Sequence, residues 1–170
     1  MTASPDMPAA GDREFGITRH LAAPRSAVWR CWTEAELLKQ WYCPLPWRVT
    51  QADLDLRPGG RANTVFTGPD GETHDNQGVY LEVVPMQRLT FTDAYTEGFV
   101  PKDGAPFMTG FVILADAPDG GTLLHWGARH WRTEDKAQHE AMGFHEGWSK
   151  AADQLDALSQ RVAAGHATAT

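Results

Sequence analysis

The stretch that decides the fold is TEDKAQHEAMGFHEGWSKAADQLDALSQRV, at residues 133–162. Its apolar residues recur at alternating steps of four and three, which places them on one side of a helix. They are Ala137, Ala141, Phe144, Trp148, Ala151, Leu155, Leu158 and Val162. No proline interrupts the stretch, and Thr133 is a typical N-cap residue. The spacing predicts one helix over residues 133–162, which needs a partner surface for its apolar side.

Strand-like segments separated by turn signals fill the chain before this helix. Apolar and polar residues alternate in seven segments, near residues 13–21, 47–56, 61–67, 74–84, 88–95, 107–115 and 122–131. After the first, Ala23-Pro24 opens a short helix, and Thr33-Glu34-Ala35-Glu36 resembles a capping box that starts a second. We predict an α+β fold in which a curved seven-stranded antiparallel sheet wraps around the long C-terminal helix.

The bulk composition argues against several classes of partner. The 170 residues carry a formal net charge of −7 at pH 7, which offers no counter-charge to nucleic acid or an anionic membrane surface. No apolar run in the sequence is long enough to span a bilayer. Two cysteines, Cys31 and Cys43, do not make a disulfide framework, so we expect a reduced, cytoplasmic setting.

We expect a single domain over residues 13–163. Residues 1–12, rich in Ala, Pro, Asp and Ser, are expected to form a disordered leader, and residues 164–170 a disordered tail. Which side of the strand at residues 78–84 is buried stays open. Tyr80 and Val84 would lie on one side, and Val79, Leu81 and Val83 on the other.

The same order of elements carries short motifs with a characteristic spacing. The motifs are Ala23-Pro24, Val28-Trp29, Trp32-Thr33, Trp41-Tyr42 with Pro44, Asp55-Leu56-Arg57-Pro58-Gly59-Gly60, Gly78-x-Tyr80-x-Glu82-Val83-x-Pro85-x-x-Arg88-Leu89, Gly121-Thr122, and Gly147-Trp148 with Leu155. On these residues the chain resembles the AHSA family, named after an activator of the heat shock protein 90 ATPase, within the helix-grip (START-like, SRPBCC) superfamily. One departure is Cys43, where the family usually has another small residue.

The resemblance implies a cavity between the sheet and the long helix, but it implies no single activity. The superfamily includes lipid and hormone binders and aromatic polyketide cyclases. We therefore expect binding of a small hydrophobic or aromatic molecule in the cavity, with no cofactor and no established catalysis. Two alternatives stay open: an enzyme of the cyclase or dehydratase type, and a module that contacts a chaperone.

Regular alternation along the strands, together with the helix stripe, predicts which side chains line the cavity. The expected ligand-binding residues are Trp41, Phe91, Tyr95, Phe107, Thr109, Phe111, Trp126, His130, Phe144 and Trp148. These rings favour a flat or apolar ligand, unless they fill the space themselves. The same alternation places Met108, Val112 and Leu114 on the outer face of the sheet, which suggests cover by a terminal segment or a homodimer contact.

Three polar residues on the predicted inner face are candidate catalytic groups: Asp93, His130 and Tyr95. A carboxylate on an apolar face must be paired or lie at an open end, so Asp93 with His130 is the best candidate for an acid/base pair. The alternative is that His130 is only hydrogen-bonded at the end of the sheet. Cys43 is either a nucleophile with a lowered pKa or a small apolar filler.

We expect no metal site. His139-Glu140 and His145-Glu146 each begin like a zinc-protease motif, but neither has a second histidine four residues after the first. Both pairs are therefore interpreted as solvated surface.

Two glycines, Gly143 and Gly147, lie inside the predicted long helix, where each costs about 1 kcal/mol relative to alanine. They either let the helix approach the sheet closely or leave room for a ligand beside Phe144 and Trp148.

Overall fold

The computed structural model describes residues 9–166. Its strands are β1 (Glu14–Leu21), β2 (Arg48–Leu54), β3 (Ala62–Thr67), β4 (Thr73–Asn76), β5 (Val79–Val84), β6 (Arg88–Thr92), β7 (Tyr95–Thr96), β8 (Val100–Pro101), β9 (Thr109–Asp116) and β10 (Thr122–Arg129). Its α-helices are α1 (Arg25–Thr33), α2 (Ala35–Leu38), α3 (Thr133–Ala141) and α4 (Phe144–Ala163). None of these helices is both long and apolar enough to cross a membrane.

All strand pairs in the described residues are antiparallel, so the predicted α+β class is confirmed. One sheet has the order β1-β10-β9-β6-β5, a second has the order β2-β3-β4, and β7 pairs with β8. An isolated bridge between Arg61 and Val79 joins the second sheet to the edge of the first. The sheet therefore continues around the interior, although its hydrogen bonding is interrupted.

The predicted number of seven strands is wrong, because the described chain forms ten strands in three sheets. The segment at residues 74–84 breaks at Gly78, whose Cα lies so close to β6 that a Cβ would be 2.4 Å from the carbonyl oxygen of Thr92. The chain passes there from one sheet to the other. The predicted loop after residue 95 contains the short hairpin of β7 and β8.

The alternation predicted for β9 is shifted by one residue. Val112 and Leu114 are buried in the core rather than on the outer face. Phe111 lies on the outer face, where its ring covers Gly127, its partner in β10, so closely that a Cβ on that glycine would be 2.3 Å from Phe111 Cζ. The outer apolar face on which the homodimer prediction rested is therefore absent at these positions.

The uncertain parity of β5 has a structural cause. Tyr80 belongs to the main core, and Val83, an odd number of residues later, packs against the same core. The pairing of β5 with β6 shifts register between Tyr80 and Glu82, which indicates a bulge. The extra residue reverses which alternate side chains face the core, so Tyr80 faces it before the bulge and Val83 after it, and neither alternation holds along the whole strand.

The two short helices follow β1 as predicted, but the predicted capping box does not form. Thr33 ends α1, and its hydroxyl donates to the carbonyl oxygen of Trp29 at 2.8 Å. The residue before α2 is Glu34, and no side chain caps that helix. Helix α1 packs against α4 and supplies Val28 and Trp32 to the main core.

Contacts on two sides hold α4 in place. On one side, Arg19 of β1 pairs with Asp153. On the other, the Gln154 amide donates to the carbonyl oxygens of Trp41 and Cys43, at 2.9 and 2.7 Å. The helix therefore spans from β1 to the segment that follows α2, with its apolar side facing the interior.

The prediction of one helix over residues 133–162 is wrong, because the chain turns between α3 and α4. Gly143 has φ +85° and ψ 32°, a left-handed conformation that only glycine adopts at low cost. The apolar steps of four and three continue across the turn by coincidence. Helix α3 packs against a 3₁₀ turn at Gly11–Arg13 instead of extending α4.

The predicted leader and tail fall largely outside the described residues, at 1–8 and 167–170. The parts of the predicted leader and tail that the structure describes are ordered by local contacts. Gly11–Arg13 forms the 3₁₀ turn, and the His166 amide donates to the Arg161 carbonyl at 2.8 Å. The domain boundaries stay a prediction.

The two glycines of the C-terminal region should respond oppositely to the same substitution. Gly143→Ala forces a side chain into the left-handed region and should destabilise the protein by about 1 kcal/mol. Gly147→Ala lies within α4, where a Cβ meets only Pro44 Cγ at 3.7 Å, and should stabilise it by about 0.5–1 kcal/mol. Urea denaturation measures both. Destabilisation of equal size by both substitutions would contradict the helix break.

Candidate ligand-binding cavity

A cavity of about 600 Å³ lies between α4, the inner face of the five-stranded sheet and the smaller sheet. Its interior wall is mainly aromatic and aliphatic, with Leu89 and Phe91 of β6, Trp126 of β10 and Trp148 of α4. The exposed lining residues lie on the polar segment at 74–77 and at the turn between α3 and α4. The mouth of the cavity is therefore between these two segments.

Two parallel indole rings form the centre of the wall. Trp126 and Trp148 are stacked, with ring centroids 4.1 Å apart and an interplanar angle of 17°. Trp32 meets Trp126 edge-on at 5.2 Å. Behind them, Trp41 is fully buried, and its indole N–H donates to the carbonyl oxygen of Cys31 at 2.9 Å. Trp41 thus supports the wall without lining the cavity.

The structure brings half of the predicted ligand-binding residues together. The five that line the cavity are Phe91, Phe107, Trp126, Phe144 and Trp148. The five that do not are Trp41, Tyr95, Thr109, Phe111 and His130. Thr109 and Phe111 are on the outer face because of the shifted alternation of β9, and Tyr95 belongs to the hairpin of β7 and β8, against Phe99.

Asp93 lines the cavity, but its carboxylate holds the backbone. It accepts hydrogen bonds from the Phe107 amide at 2.9 and 2.8 Å and from the Met108 amide at 3.1 Å. These bonds satisfy a carboxylate that the apolar face would otherwise leave unpaired. Asp93 therefore positions the segment that carries Phe107 into the cavity wall.

The predicted pairing of Asp93 with His130 is wrong. Both ring nitrogens of His130 are engaged elsewhere: Nδ1 lies 3.1 Å from the carbonyl oxygen of Arg13, and Nε2 lies 2.9 Å from Nδ1 of His139. His130 is buried at the end of the sheet, as its alternative interpretation expected, and His139 stands between it and the cavity.

His139 is a cavity residue, although the sequence predicted it on the solvated surface. The structure buries it to 8% exposure, with aromatic rings around it. The nearest centroids are those of Phe107 at 4.6 Å and Phe15 at 4.8 Å. Interpreting Gly143 as a helix terminator would have separated α3 from α4 and left the buried face of α3 to be assigned separately.

Burial sets the protonation of the groups around the cavity. Desolvation, with a smaller contribution from the charge of His130, lowers the pKa of His139 from 6.5 to about 4. Desolvation raises the pKa of Cys43, which lines the cavity, from 9.0 to about 12. The Cys43 thiol is therefore neutral, which argues for the filler interpretation over the nucleophile. Within residues 9–166, no three His, Cys, Asp or Glu side chains are grouped to hold a metal ion.

The lowered pKa of His139 should make its contribution to stability depend on pH. Between about pH 4 and 6.5 the unfolded chain binds a proton at this histidine and the folded protein does not, so acid favours unfolding. The advantage of wild type over His139→Asn, measured by urea denaturation, should shrink by about 1 kcal/mol from pH 7 to pH 4.5. His145→Asn, at an exposed histidine, is the control. A constant advantage would contradict a buried neutral His139.

Comparisons with known proteins agree with this architecture. Protein NE0264 from Nitrosomonas europaea has a crystal structure that matches with a TM-score of 0.87 and 36% identity, over 92% of this chain and 99% of that chain. Protein Ms6760 from Mycobacterium smegmatis matches with a TM-score of 0.74 and 31% identity, over 88% of this chain and 92% of that chain. No curated protein matches the chain significantly.

The family assignment follows from the sequence match together with these structures. An AHSA1-like protein from Aeromonas hydrophila has the same fold, with a TM-score of 0.66 and 25% identity, over 91% of this chain and 95% of that chain. The family model described as activator of Hsp90 ATPase homolog 1-like protein matches residues 22–160, which confirms the resemblance of the sequence motifs. The chain therefore belongs to the family of activator of Hsp90 ATPase homolog 1-like proteins.

Proposed function

We propose that this protein binds a small hydrophobic or aromatic molecule in the cavity between the sheet and α4. The observation that carries the proposal is the cavity itself, whose volume of about 600 Å³ falls within the range of about 300–1,000 Å³ typical of small-molecule sites. The stacked faces of Trp126 and Trp148 and the ring of Phe91 suit a flat apolar guest.

Gly147 supports the proposal, because it keeps part of the space open. A glycine inside a helix costs about 1 kcal/mol relative to alanine. A Cβ at this position would meet only Pro44 Cγ at 3.7 Å, so close packing against the sheet does not require the glycine. The surroundings of Gly147 therefore favour the interpretation that it leaves room for a ligand beside Trp148 over the interpretation that it lets the helix approach the sheet.

The mouth supports a ligand that enters from solvent. Four consecutive polar residues at 74–77 line one side of it. The Lys102 ammonium donates to the carbonyl oxygen of Gln77 at 2.9 Å, which ties the loop after β8 to this rim. Met142, 70% exposed, lines the opposite side. A polar rim around an apolar interior is the usual arrangement of a binding pocket.

Binding is favoured over the enzymatic alternative. A cyclase or dehydratase of the kind considered needs an acid and a base in reach of each other inside the cavity. Asp93 is engaged by two backbone amides, and both nitrogens of His130 are engaged by Arg13 and His139. Chaperone contact remains a hypothesis that rests on the family name alone. A cytoplasmic setting remains a prediction, in keeping with two free cysteines.

Filling the cavity from the helix should abolish binding of an apolar probe. We expect N-phenyl-1-naphthylamine, followed by its fluorescence, to bind wild type saturably with one site per chain. Gly147→Leu should weaken this binding about tenfold or more, which is about 1.4 kcal/mol. Ala157→Leu, at an exposed position of α4, should bind like wild type. Absence of saturable binding, or equal binding by both variants, would contradict the proposal.

A further inference from the structure

We propose that the ligand of this cavity carries a hydroxyl or N–H group that donates a hydrogen bond to Nε2 of His139. The inference rests on the proposed binding function and narrows the ligand class to aromatic molecules with a hydrogen-bond donor, such as phenols or aryl amines.

The hydrogen bonds of the histidine pair assign the protons. A carbonyl oxygen only accepts, so the Nδ1 of His130 that lies 3.1 Å from the Arg13 oxygen carries a hydrogen. The Nε2 of neutral His130 is then an acceptor, and the contact of 2.9 Å requires Nδ1 of His139 to donate to it. Nε2 of neutral His139 is consequently left with a lone pair.

The surroundings of the pair supply no anionic hydrogen-bond partner to either ring among the described residues. The two histidines are buried, and neither forms a hydrogen bond to a carboxylate among residues 9–166. Asp135, the acidic side chain whose charge reaches His130, is engaged in an ion pair with Arg132 at 2.8 Å. A buried imidazolium without such a partner would lose its hydration without compensation.

Nε2 of His139 has no hydrogen-bond partner within the part of the chain that the structure describes. The ring lines the cavity, and its other nitrogen is directed at His130. Phe15, Phe107, Phe144 and Trp148 provide its ring neighbours, and none offers a hydrogen-bond donor at Nε2. Because its immediate neighbours are aromatic rings, this acceptor is an atom through which a polar group of the ligand gains an oriented contact.

His139 is suited to accepting a hydrogen bond rather than to removing a proton. With its pKa near 4, the imidazole is a weak base at neutral pH. A proton taken up by His139 could not be passed on through His130 either, because the hydrogen on Nδ1 of His130 is directed at the carbonyl oxygen of Arg13, which does not accept a proton. The geometry therefore points to recognition of a donor group, with the ligand leaving the cavity chemically unchanged.

A matched ligand series tests the proposal: 2-naphthol has the donor, 2-methoxynaphthalene has the same oxygen without the hydrogen, and naphthalene has neither. Affinities are measured at pH 7 by quenching of tryptophan fluorescence or by calorimetry. Wild type should prefer the naphthol over the ether about tenfold, the contribution of one hydrogen bond in a site shielded from water.

His139→Asn is the informative variant, because an asparagine amide can still donate to His130 from near the position of Nδ1 and has no atom at the position of Nε2. The preference for 2-naphthol should fall to near unity in this variant, while the affinity for naphthalene stays within about twofold. His145→Asn, at the exposed histidine beside Phe144, should keep the wild-type preference.

The outcomes separate this inference from the function on which it rests. Equal binding of naphthol, ether and naphthalene by wild type would overturn the donor proposal and leave the binding function intact, and so would a preference for the ether. Binding of none of the three would overturn both. If His139→Asn does not fold, the ¹⁵N shift of Nε2 in wild type decides: the naphthol must move it, and naphthalene must not.

Discussion

The stack of Trp126 on Trp148 is the contact on which the rest of the structure depends. It joins the middle of β10 to the first half of α4 through two large apolar faces, with ring centroids 4.1 Å apart. Trp32 of α1 braces the stack edge-on from behind, so three elements that are distant in sequence meet at one aromatic cluster. Because the two rings stack on each other, they do not occupy the space between α4 and the sheets, and a cavity remains beside them.

A cavity inside a small domain loses dispersion contacts between its walls. Hydrogen bonds near the two ends of the cavity hold its walls in place. Gln154 fastens α4 to the segment after α2, and the carboxylate of Asp93 fastens the chain that brings in Phe107. At the other end, the turn at Gly143 lets α3 turn aside from α4 and place His139 against His130. Among the described residues, two ring nitrogens of the cavity wall remain without a protein partner, Nε2 of His139 and the indole N–H of Trp32.

The sequence predicted most of the architecture, and half of the residues that it predicted for the cavity wall do line the cavity. The order of elements and their antiparallel pairing followed from turn residues and alternation, which are local signals, and the family followed from the resemblance of the spaced motifs. Three features were not predicted. The phase of β9 is set by Phe111 covering Gly127 on the neighbouring strand, and the break at Gly143 is hidden by an apolar spacing that continues across it. His139 became part of the wall only through that break, and so its partner His130 was assigned to Asp93 instead.

The central claim is that the space beside the tryptophan stack is a real, apolar void, and xenon measures this most directly, because it binds dry apolar cavities without needing a hydrogen bond. The account predicts that crystals of the protein pressurised with xenon show an ordered xenon atom between Phe91, Trp126 and Trp148. An empty map at this place, with the phenyl and indole rings in contact across the interior, would contradict it.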